Sequence, residues 1–191
     1  MLHQVWKTLF GGGKILRLCF VSRVEQSKGL DTLEKISRLL GEEGLDKYVQ
    51  LDFYGQKTDN YFDTQLRAIE MFEYKGVLQP DEVIGTLKRY NALIFPSHYE
   101  GEGCPGILVE ALSASLPIIA SDWKYNNEFV SDGDNGFLCG TFDAIAYVDA
   151  IKVLLTNKTL RSRMACRAHD RSRDYSVSKA RALVKGYLHL D

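Results

Sequence analysis

Two cations stand close together in the segment SRVEQSKG, which spans 22–29. Arg23 and Lys28 follow an apolar run typical of a strand and precede a helical pattern, so both are predicted at the carboxyl end of a strand. Cations beside a helix N-terminus attract anions, and arginine suits bidentate contact with phosphate. The segment therefore predicts an anion site, with two solvated loop cations as the alternative.

A glycine-rich loop occurs in YEGEGCPGILVEAL at 99–112, with the spacing Gly-x-Gly-x-x-Gly at Gly101, Gly103 and Gly106. Glycines let the backbone approach a ligand, and the helix predicted from Pro105 would point its N-terminus at that ligand. The spacing is that of a nicotinamide fingerprint, with Asp122 as the ribose-binding acid. However, the loop follows a late strand and holds Glu102, which would repel a pyrophosphate. A plain glycine-rich turn is the remaining alternative.

Glu102 and Glu110 form a third pattern, two carboxylates with seven residues between them. Glu110 lies inside the otherwise apolar helical stretch ILVEALSA. A carboxylate there needs a partner, because burying an unpaired charge is costly. The hydroxyl groups of a ligand would serve as that partner, and the alternative is a partly exposed glutamate on the polar edge of the helix.

The composition excludes several classes of protein. The net charge is -1, which gives no basic footprint for nucleic acid. The four cysteines include no Cys-x-x-Cys pair, and the absence of a disulfide framework predicts a reducing, cytoplasmic compartment. The histidines have no metal-binding spacing, and the Asp-Gly-Asp at 132–134 lies in a strong turn signal. We therefore expect neither a metal nor another cofactor.

Short apolar runs alternate with helical patterns along most of the chain. The runs predict strands at 15–23, 48–55, 74–77, 92–97, 117–121 and 136–139. Helices are predicted at 29–40, 59–72, 81–90, 105–115 and 127–131, and three more follow at 142–156, 160–175 and 177–190. This alternation predicts an α/β fold, a Rossmann-like doubly wound parallel sheet of about six strands with helices on both faces. Ligands bind such sheets at the carboxyl ends of the strands.

The stretches FVSRVEQSKGL, PSHYEGEGCPGILVEALSASLPIIASD and NNEFVSDGDNGFL together resemble the donor-binding half of family 4 glycosyltransferases, which are retaining enzymes of the GT-B fold. The resemblance runs in order from about Ile15 to the C-terminus. The family's Glu-x7-Glu element matches Glu102 and Glu110, and its arginine and lysine match Arg23 and Lys28. The family pattern has a glycine where this chain has Ser115.

The resemblance implies roles for these positions. Arg23 and Lys28 would hold the donor diphosphate and stabilise charge on the departing nucleotide. Glu110 would bind the ribose hydroxyls, and Glu102 would contact the donor sugar as the third residue of the catalytic set. The remaining donor-binding positions would be Val77 and Leu78 near the base, and Gly103, Cys104, Pro105, Gly106 and Ile107 along the sugar and phosphate.

A GT-B enzyme has two Rossmann-like domains, so the resemblance implies half of one. We expect an N-terminal extension or linker remnant at 1–14, a donor-binding domain with C-terminal helices at 15–191, and no N-terminal acceptor domain. The substrate would be a UDP- or GDP-linked hexose, transferred to a glycan or a lipid-linked acceptor in bacterial surface polysaccharide synthesis. The full-length enzyme would work in the cytoplasm or at the inner membrane surface.

Three hypotheses follow for the chain. In the first, it is the donor-binding domain of a transferase and is inactive or weakly active alone. In the second, it is the donor-binding or regulatory subunit of a split transferase. In the third, it is a nicotinamide-binding Rossmann domain. We also expect its last helix to drive self-association. Leu183, Val184, Tyr187 and Leu188 form an apolar face that would pack against the N-terminal half of an intact GT-B enzyme, and without that half the face would be exposed.

Overall fold

The computed structural model describes residues 15–187, so the expected extension at 1–14 and the residue Leu188 lie outside the described part of the chain. Six strands form one sheet: β1 (Leu16–Val21), β2 (Val49–Tyr54), β3 (Phe72–Gly76), β4 (Ala92–Phe95), β5 (Ile118–Ser121) and β6 (Gly136–Cys139). Each agrees with a strand predicted from an apolar run, and the ends differ by at most two residues. The exposed edges of the runs, such as Ile15, fall outside the strands.

The sheet is wholly parallel and has the order β3-β2-β1-β4-β5-β6. The chain therefore moves outward from β1 in one direction through β3, and then returns to place β4 on the other side of β1. This confirms the predicted Rossmann-like doubly wound fold. The reversal creates a crevice at the carboxyl ends of β1 and β4, which is where such sheets bind ligands.

Residues 15–187 contain six α-helices: α1 (Leu30–Glu42), α2 (Val83–Leu87), α3 (Gly106–Ser113), α4 (Ala144–Thr156), α5 (Lys158–Ser172) and α6 (Val177–Tyr187). Two buried clusters lie on opposite faces of the sheet. One packs α1 and α4 against Leu18 and Phe20 of β1, and the other packs α2 and α3 against Cys19. Successive strand residues point to opposite faces, so β1 contributes to both cores. Within residues 15–187, no helix is long and apolar enough to cross a membrane.

The helix predicted at 59–72 is wrong. That segment contains a single π-helical turn, Phe62–Leu66, and Phe72 already begins β3. Phe62 and Leu66 are buried in the turn and Phe72 is buried in β3, so the buried apolar residues of the segment belong to two elements. The backbone N–H of Leu51 donates to the carbonyl of Met71 at 2.8 Å, which draws the end of the segment into the sheet. Short apolar runs cannot distinguish these outcomes by periodicity alone.

Ser115 stands at the C-terminal end of α3 in the left-handed conformation, with a φ of 58°. The N–H of Leu116 donates to the carbonyl of Ala111, and the N–H of Ser115 donates to that of Leu112, both at 2.9 Å. This is the Schellman arrangement, in which glycine is the favoured residue. The left-handed backbone at this position thus explains why the family has glycine here, and the side chain of Ser115 adds a steric cost.

We expect Ser115→Gly to raise the free energy of unfolding by about 0.5–1 kcal/mol, because the relief of left-handed strain exceeds the entropy that glycine adds to the unfolded chain. Denaturant unfolding would measure it. Ser113→Gly is the matched control, since Ser113 is an exposed serine within α3. It should destabilise the protein by about 1 kcal/mol. Equal losses in both variants would contradict the strain argument.

Candidate functional site

The loops that follow β1, β2 and β3 lie against one another at the carboxyl edge of the sheet. Gly55 follows β2 with a φ of 136°, and a side chain there would meet the carbonyl of Ser22 at 1.7 Å. Its N–H donates to the carbonyl of Gly76 at 2.8 Å. The glycine therefore lets three loops meet, and it ties the segment before Val77 to the segment that holds Arg23.

The turn from β1 into α1 lies against the loop after β4. Gly29 precedes α1 with a φ of 89°, and a side chain on it would collide with the carbonyl of Pro96 at 2.2 Å. The N–H of His98 donates to the carbonyl of Ser27 at 3.2 Å. The close approach that Gly29 permits brings the cationic loop and the glycine-rich loop together at the crevice between β1 and β4.

Lys28 and Glu102 form an ion pair across these two loops. The Nζ of Lys28 lies 2.7 Å from Oε2 of Glu102, and their side chains are only 7% and 11% exposed. Ser97 also donates to the same Oε2, at 2.5 Å. The glutamate that stood unexplained in the glycine loop therefore neutralises a lysine that is buried at the crevice.

Arg23 is the more open of the two cations, with 46% of its side chain exposed, and it lies 3.3 Å from Oε1 of Glu25. Burial alone would raise the pKa of Glu25, but hydrogen bonds from Ser27 and Thr58 and the nearby cations outweigh burial, and the pKa is below its usual value. Glu25 is thus a carboxylate at neutral pH. Each cation of the site has an acidic partner in the ligand-free protein.

The glycine loop presents open backbone at two of its three glycines. A side chain on Gly103 or Gly106 would meet nothing within 4 Å, whereas one on Gly101 would meet the ring of Tyr99 at 2.6 Å. Neither packing nor φ requires glycine at positions 103 and 106. Helix α3 begins at Gly106, with Pro105 as its N-cap rather than inside its first turn.

Glu110 lies on α3 and is half-buried. Burial raises the pKa of its carboxyl. Among residues 15–187, neither an ion pair nor a hydrogen bond joins that carboxylate to another side chain, in contrast to Glu102. A charge that is partly removed from water without a partner is costly, so Glu110 fits the prediction that a ligand completes its environment.

The other predicted positions differ in their exposure. Val77 is 60% exposed, and Leu78 packs against the apolar cluster of α2 and α3. Ile107 is half-buried on α3, and the thiol of Cys104 is exposed in the loop. The Asp-Gly-Asp turn is structural, because Asp132 accepts the N–H of Leu138 at 3.0 Å and Asp134 pairs with Arg167.

Several side chains outside the predicted set of site residues hold the two loops in place. Glu25 and Tyr99 contact the cations, and Ser97 donates to Glu102. Trp123 and Lys124 contact the backbone of the glycine-loop segment from the segment after β5. Glu25 could have been noticed, because it stands between Arg23 and Lys28. The others become visible only when β1, β4 and β5 are adjacent.

The carboxyl edge of this doubly wound parallel sheet thus carries the paired cations Arg23 and Lys28 and the Glu-x7-Glu element of Glu102 and Glu110. A family model described as Glycosyl transferases group 1 matches residues 9–171, and the chain belongs to this family.

Three known proteins illustrate the similarity. Glycogen synthase of Mycobacterium tuberculosis is 27% identical over 157 residues, which cover 81% of this chain and 37% of that protein. HepE of Anabaena, crystallised with UDP and glucose, matches with a TM-score of 0.77 at 16% identity, over 98% of this chain and 52% of that one. The crystallised GtfA/B complex matches with a TM-score of 0.75 at 24% identity, over 92% of this chain and 36% of that one. The chain therefore spans about a third to a half of these relatives.

Proposed function

We propose that this chain binds the nucleotide sugar for a retaining glycosyltransferase of family 4. The observation that carries the proposal is the convergence of Arg23, Lys28 and Glu102 in one crevice at the carboxyl ends of β1 and β4. The two cations supply positive charge for a diphosphate. The acids beside them supply acceptors for the hydroxyl groups of a sugar.

The cations have two tasks in this proposal. They bind the diphosphate of the donor, and they stabilise the charge that develops on it as the glycosidic bond breaks. The N–H groups at the start of α3, exposed by Gly103 and Gly106, would share the binding. The proposal assigns this charge to protein groups and requires no metal.

The ion pair between Lys28 and Glu102 gives the site a resting state. A diphosphate would compete with the Glu102 carboxylate for the ammonium group of Lys28. Once released, Glu102 would accept hydrogen bonds from the donor sugar, and Glu110 would accept them from the ribose. Val77 and Leu78 would lie beside the base, and the backbone from Gly103 to Ile107 would lie beside the sugar and phosphate.

A hexose-type donor and a glycan or lipid-linked acceptor in bacterial surface polysaccharide synthesis complete the proposal. The UDP and glucose bound to HepE support a UDP-linked hexose, with a GDP-linked one as the alternative. The site of action would be the cytoplasm, or the inner membrane surface in a full-length enzyme. The acceptor-binding half would come from another domain or another subunit.

A donor-binding subunit of a split transferase is the second candidate. The match to the GtfA/B complex favours it, because that structure contains two components. In either case the isolated chain would bind the donor weakly and transfer little sugar. Full activity when the chain is assayed alone would contradict both forms of the proposal.

Ligand-detected NMR with UDP, GDP, ADP and NAD tests the proposed function directly. We expect selective binding of one nucleoside diphosphate, lost in Arg23→Ala. Arg38→Ala is the matched control, because Arg38 is an exposed arginine on α1 that pairs with Glu42. A preference for NAD would favour the nicotinamide hypothesis. Equal binding by both arginine variants and the wild type would place the ligand elsewhere.

The surface of α6 is the expected contact with a second component. Val177, Val184 and Tyr187 are 76%, 56% and 84% exposed. We expect this face to drive self-association in the isolated chain, because an exposed apolar surface is removed from water when two copies pack together. Light scattering between micromolar and millimolar protein would show a rising mass, and Val184→Lys should lower it. A constant monomeric mass in the wild type would contradict this expectation.

A further inference from the structure

The aromatic ring of Tyr99 lies beside both cations of the proposed donor site. The guanidinium carbon of Arg23 is 4.9 Å from the ring centroid, and the Nζ of Lys28 is 4.2 Å from it. Both distances are within the range of a cation–π contact. Two positive side chains repel each other when they are close, and a ring face that attracts both opposes this repulsion.

The backbone segment that carries the ring is held in place by its surroundings. The carbonyl of Tyr99 accepts the indole N–H of Trp123 at 3.0 Å, and its own N–H donates to the hydroxyl of Ser97 at 3.4 Å. The absence of a side chain on Gly101 leaves room for the ring, because a β-carbon there would lie 2.6 Å from it. The position of Tyr99 is therefore set from β4, from the glycine loop and from the segment after β5.

The segment after β5 is shaped for this contact. Lys124 adopts the left-handed conformation, with a φ of 49°, and its ammonium group donates to the carbonyl of Glu100. Its Nζ also lies 3.4 Å from a carboxylate oxygen of Glu100. Trp123 and Lys124 thus bind two successive carbonyls of the glycine-loop segment. Strained backbone of this kind persists where the surrounding structure imposes it.

We propose that Tyr99 is a positioning residue for the donor diphosphate. Its ring contacts both Arg23 and Lys28, and Trp123 fixes the backbone segment that carries the ring. The inference deepens the proposed function and rests on it for the identity of the ligand. The ordering of the two cations by the ring, however, is a property of the ligand-free protein and is measurable without any ligand.

Three variants separate the ring from the other properties of Tyr99. Tyr99→Leu removes the aromatic face and keeps an apolar side chain. Tyr99→Phe keeps the face and removes only the hydroxyl, which bonds to no other residue in the described range 15–187. Trp123→Phe keeps the Tyr99 ring and an aromatic side chain at position 123, and it removes the indole N–H. Thermal unfolding of all three confirms that the fold persists before the site is compared.

The first measurement is the side-chain mobility of the two cations in the ligand-free protein, from ¹⁵N relaxation of Arg23 Nε and Lys28 Nζ. We expect the order parameters of both to fall in Tyr99→Leu and to stay near wild type in Tyr99→Phe. In Trp123→Phe, the ring-current shift of the Lys28 methylene protons should change. Unchanged order parameters in Tyr99→Leu would overturn the proposal, whatever ligand the site takes.

The second measurement is calorimetric binding of inorganic pyrophosphate, with UDP and uridine as companions. We expect Tyr99→Leu to weaken pyrophosphate and UDP binding about tenfold and to leave uridine binding unchanged, while Tyr99→Phe stays within about twofold of wild type. Equal affinity of Tyr99→Leu and wild type would overturn the positioning role. If the wild type binds neither anion, the proposed function fails, and the relaxation measurement alone decides whether the ring orders the cations.

Discussion

Lys28→Met is expected to weaken the binding of a nucleoside diphosphate about a hundredfold. Hydrogen bonds to charged groups contribute about 1.5–3 kcal/mol, and a hundredfold change corresponds to about 2.7 kcal/mol. Lys28 stands at the upper end of this range because its side chain is only 7% exposed. Little water competes there for the ammonium group, and methionine fills a similar volume without charge. Titration calorimetry with UDP and GDP would measure the loss.

The same substitution should also lower the free energy of unfolding. It leaves the Glu102 carboxylate without its cation, although the Glu102 side chain is only 11% exposed. Removing one partner of a buried pair typically costs about 3–5 kcal/mol. The double variant Lys28→Met/Glu102→Gln separates the two effects, since it removes both charges. We expect it to recover much of the stability and none of the binding.

Lys35→Met is the matched control for the loss of a lysine. Lys35 is 51% exposed on α1 and lies 3.9 Å from Asp31. Such a surface pair contributes little to stability, and we expect both unfolding and nucleotide binding to stay near wild type. Wild-type affinity in the double variant would contradict the assignment of Lys28 to the diphosphate, because the charge would then be dispensable.

The parallel sheet was predictable because its inner strands are largely buried on both faces. Such strands appear as continuous apolar runs bounded by turns, and ALIF in β4 and IIAS in β5 have every residue buried. The alternation with helices then limits the topology, since parallel strands need crossover connections. The helix prediction at 59–72 was wrong because pairing with β2 decides the structure at the end of this segment, and local periodicity carries no information about that pairing.

The residues of the candidate site were proposed from the sequence, but the contacts between them were not predictable from it. Arg23, Lys28 and the two glutamates were identified individually. The ion pair between Lys28 and Glu102 joins positions that are 74 residues apart in sequence. The contact between Trp123 and Tyr99 likewise depends on β5 lying beside β4. Both contacts arise from strand order, which the sequence specifies only through the whole fold.

Glu110→Gln is expected to change stability and ligand binding in opposite directions. Burial raises the pKa of the Glu110 carboxyl, so the folded protein bears a cost whenever this group is ionised. The neutral amide removes that cost, and the free energy of unfolding at neutral pH should rise. As the pH falls below about 4, the ordinary range for a glutamic acid, protonation relieves the wild type as well and the difference should vanish.

Binding should respond to Glu110→Gln in the other direction. If Glu110 accepts hydrogen bonds from the ribose, its charge strengthens them, and its loss should weaken UDP or GDP binding about tenfold. Inorganic pyrophosphate lacks the ribose and serves as the control ligand, whose affinity should not change. Denaturant unfolding between pH 4 and pH 8, together with calorimetry on both ligands, measures the two effects. A variant that gained stability but bound the nucleotide as tightly as wild type would show that the half-buried carboxylate serves neither the fold nor the ribose. Gain of stability with selective loss of nucleotide binding is instead the behaviour of a charge retained at a structural cost for its ligand.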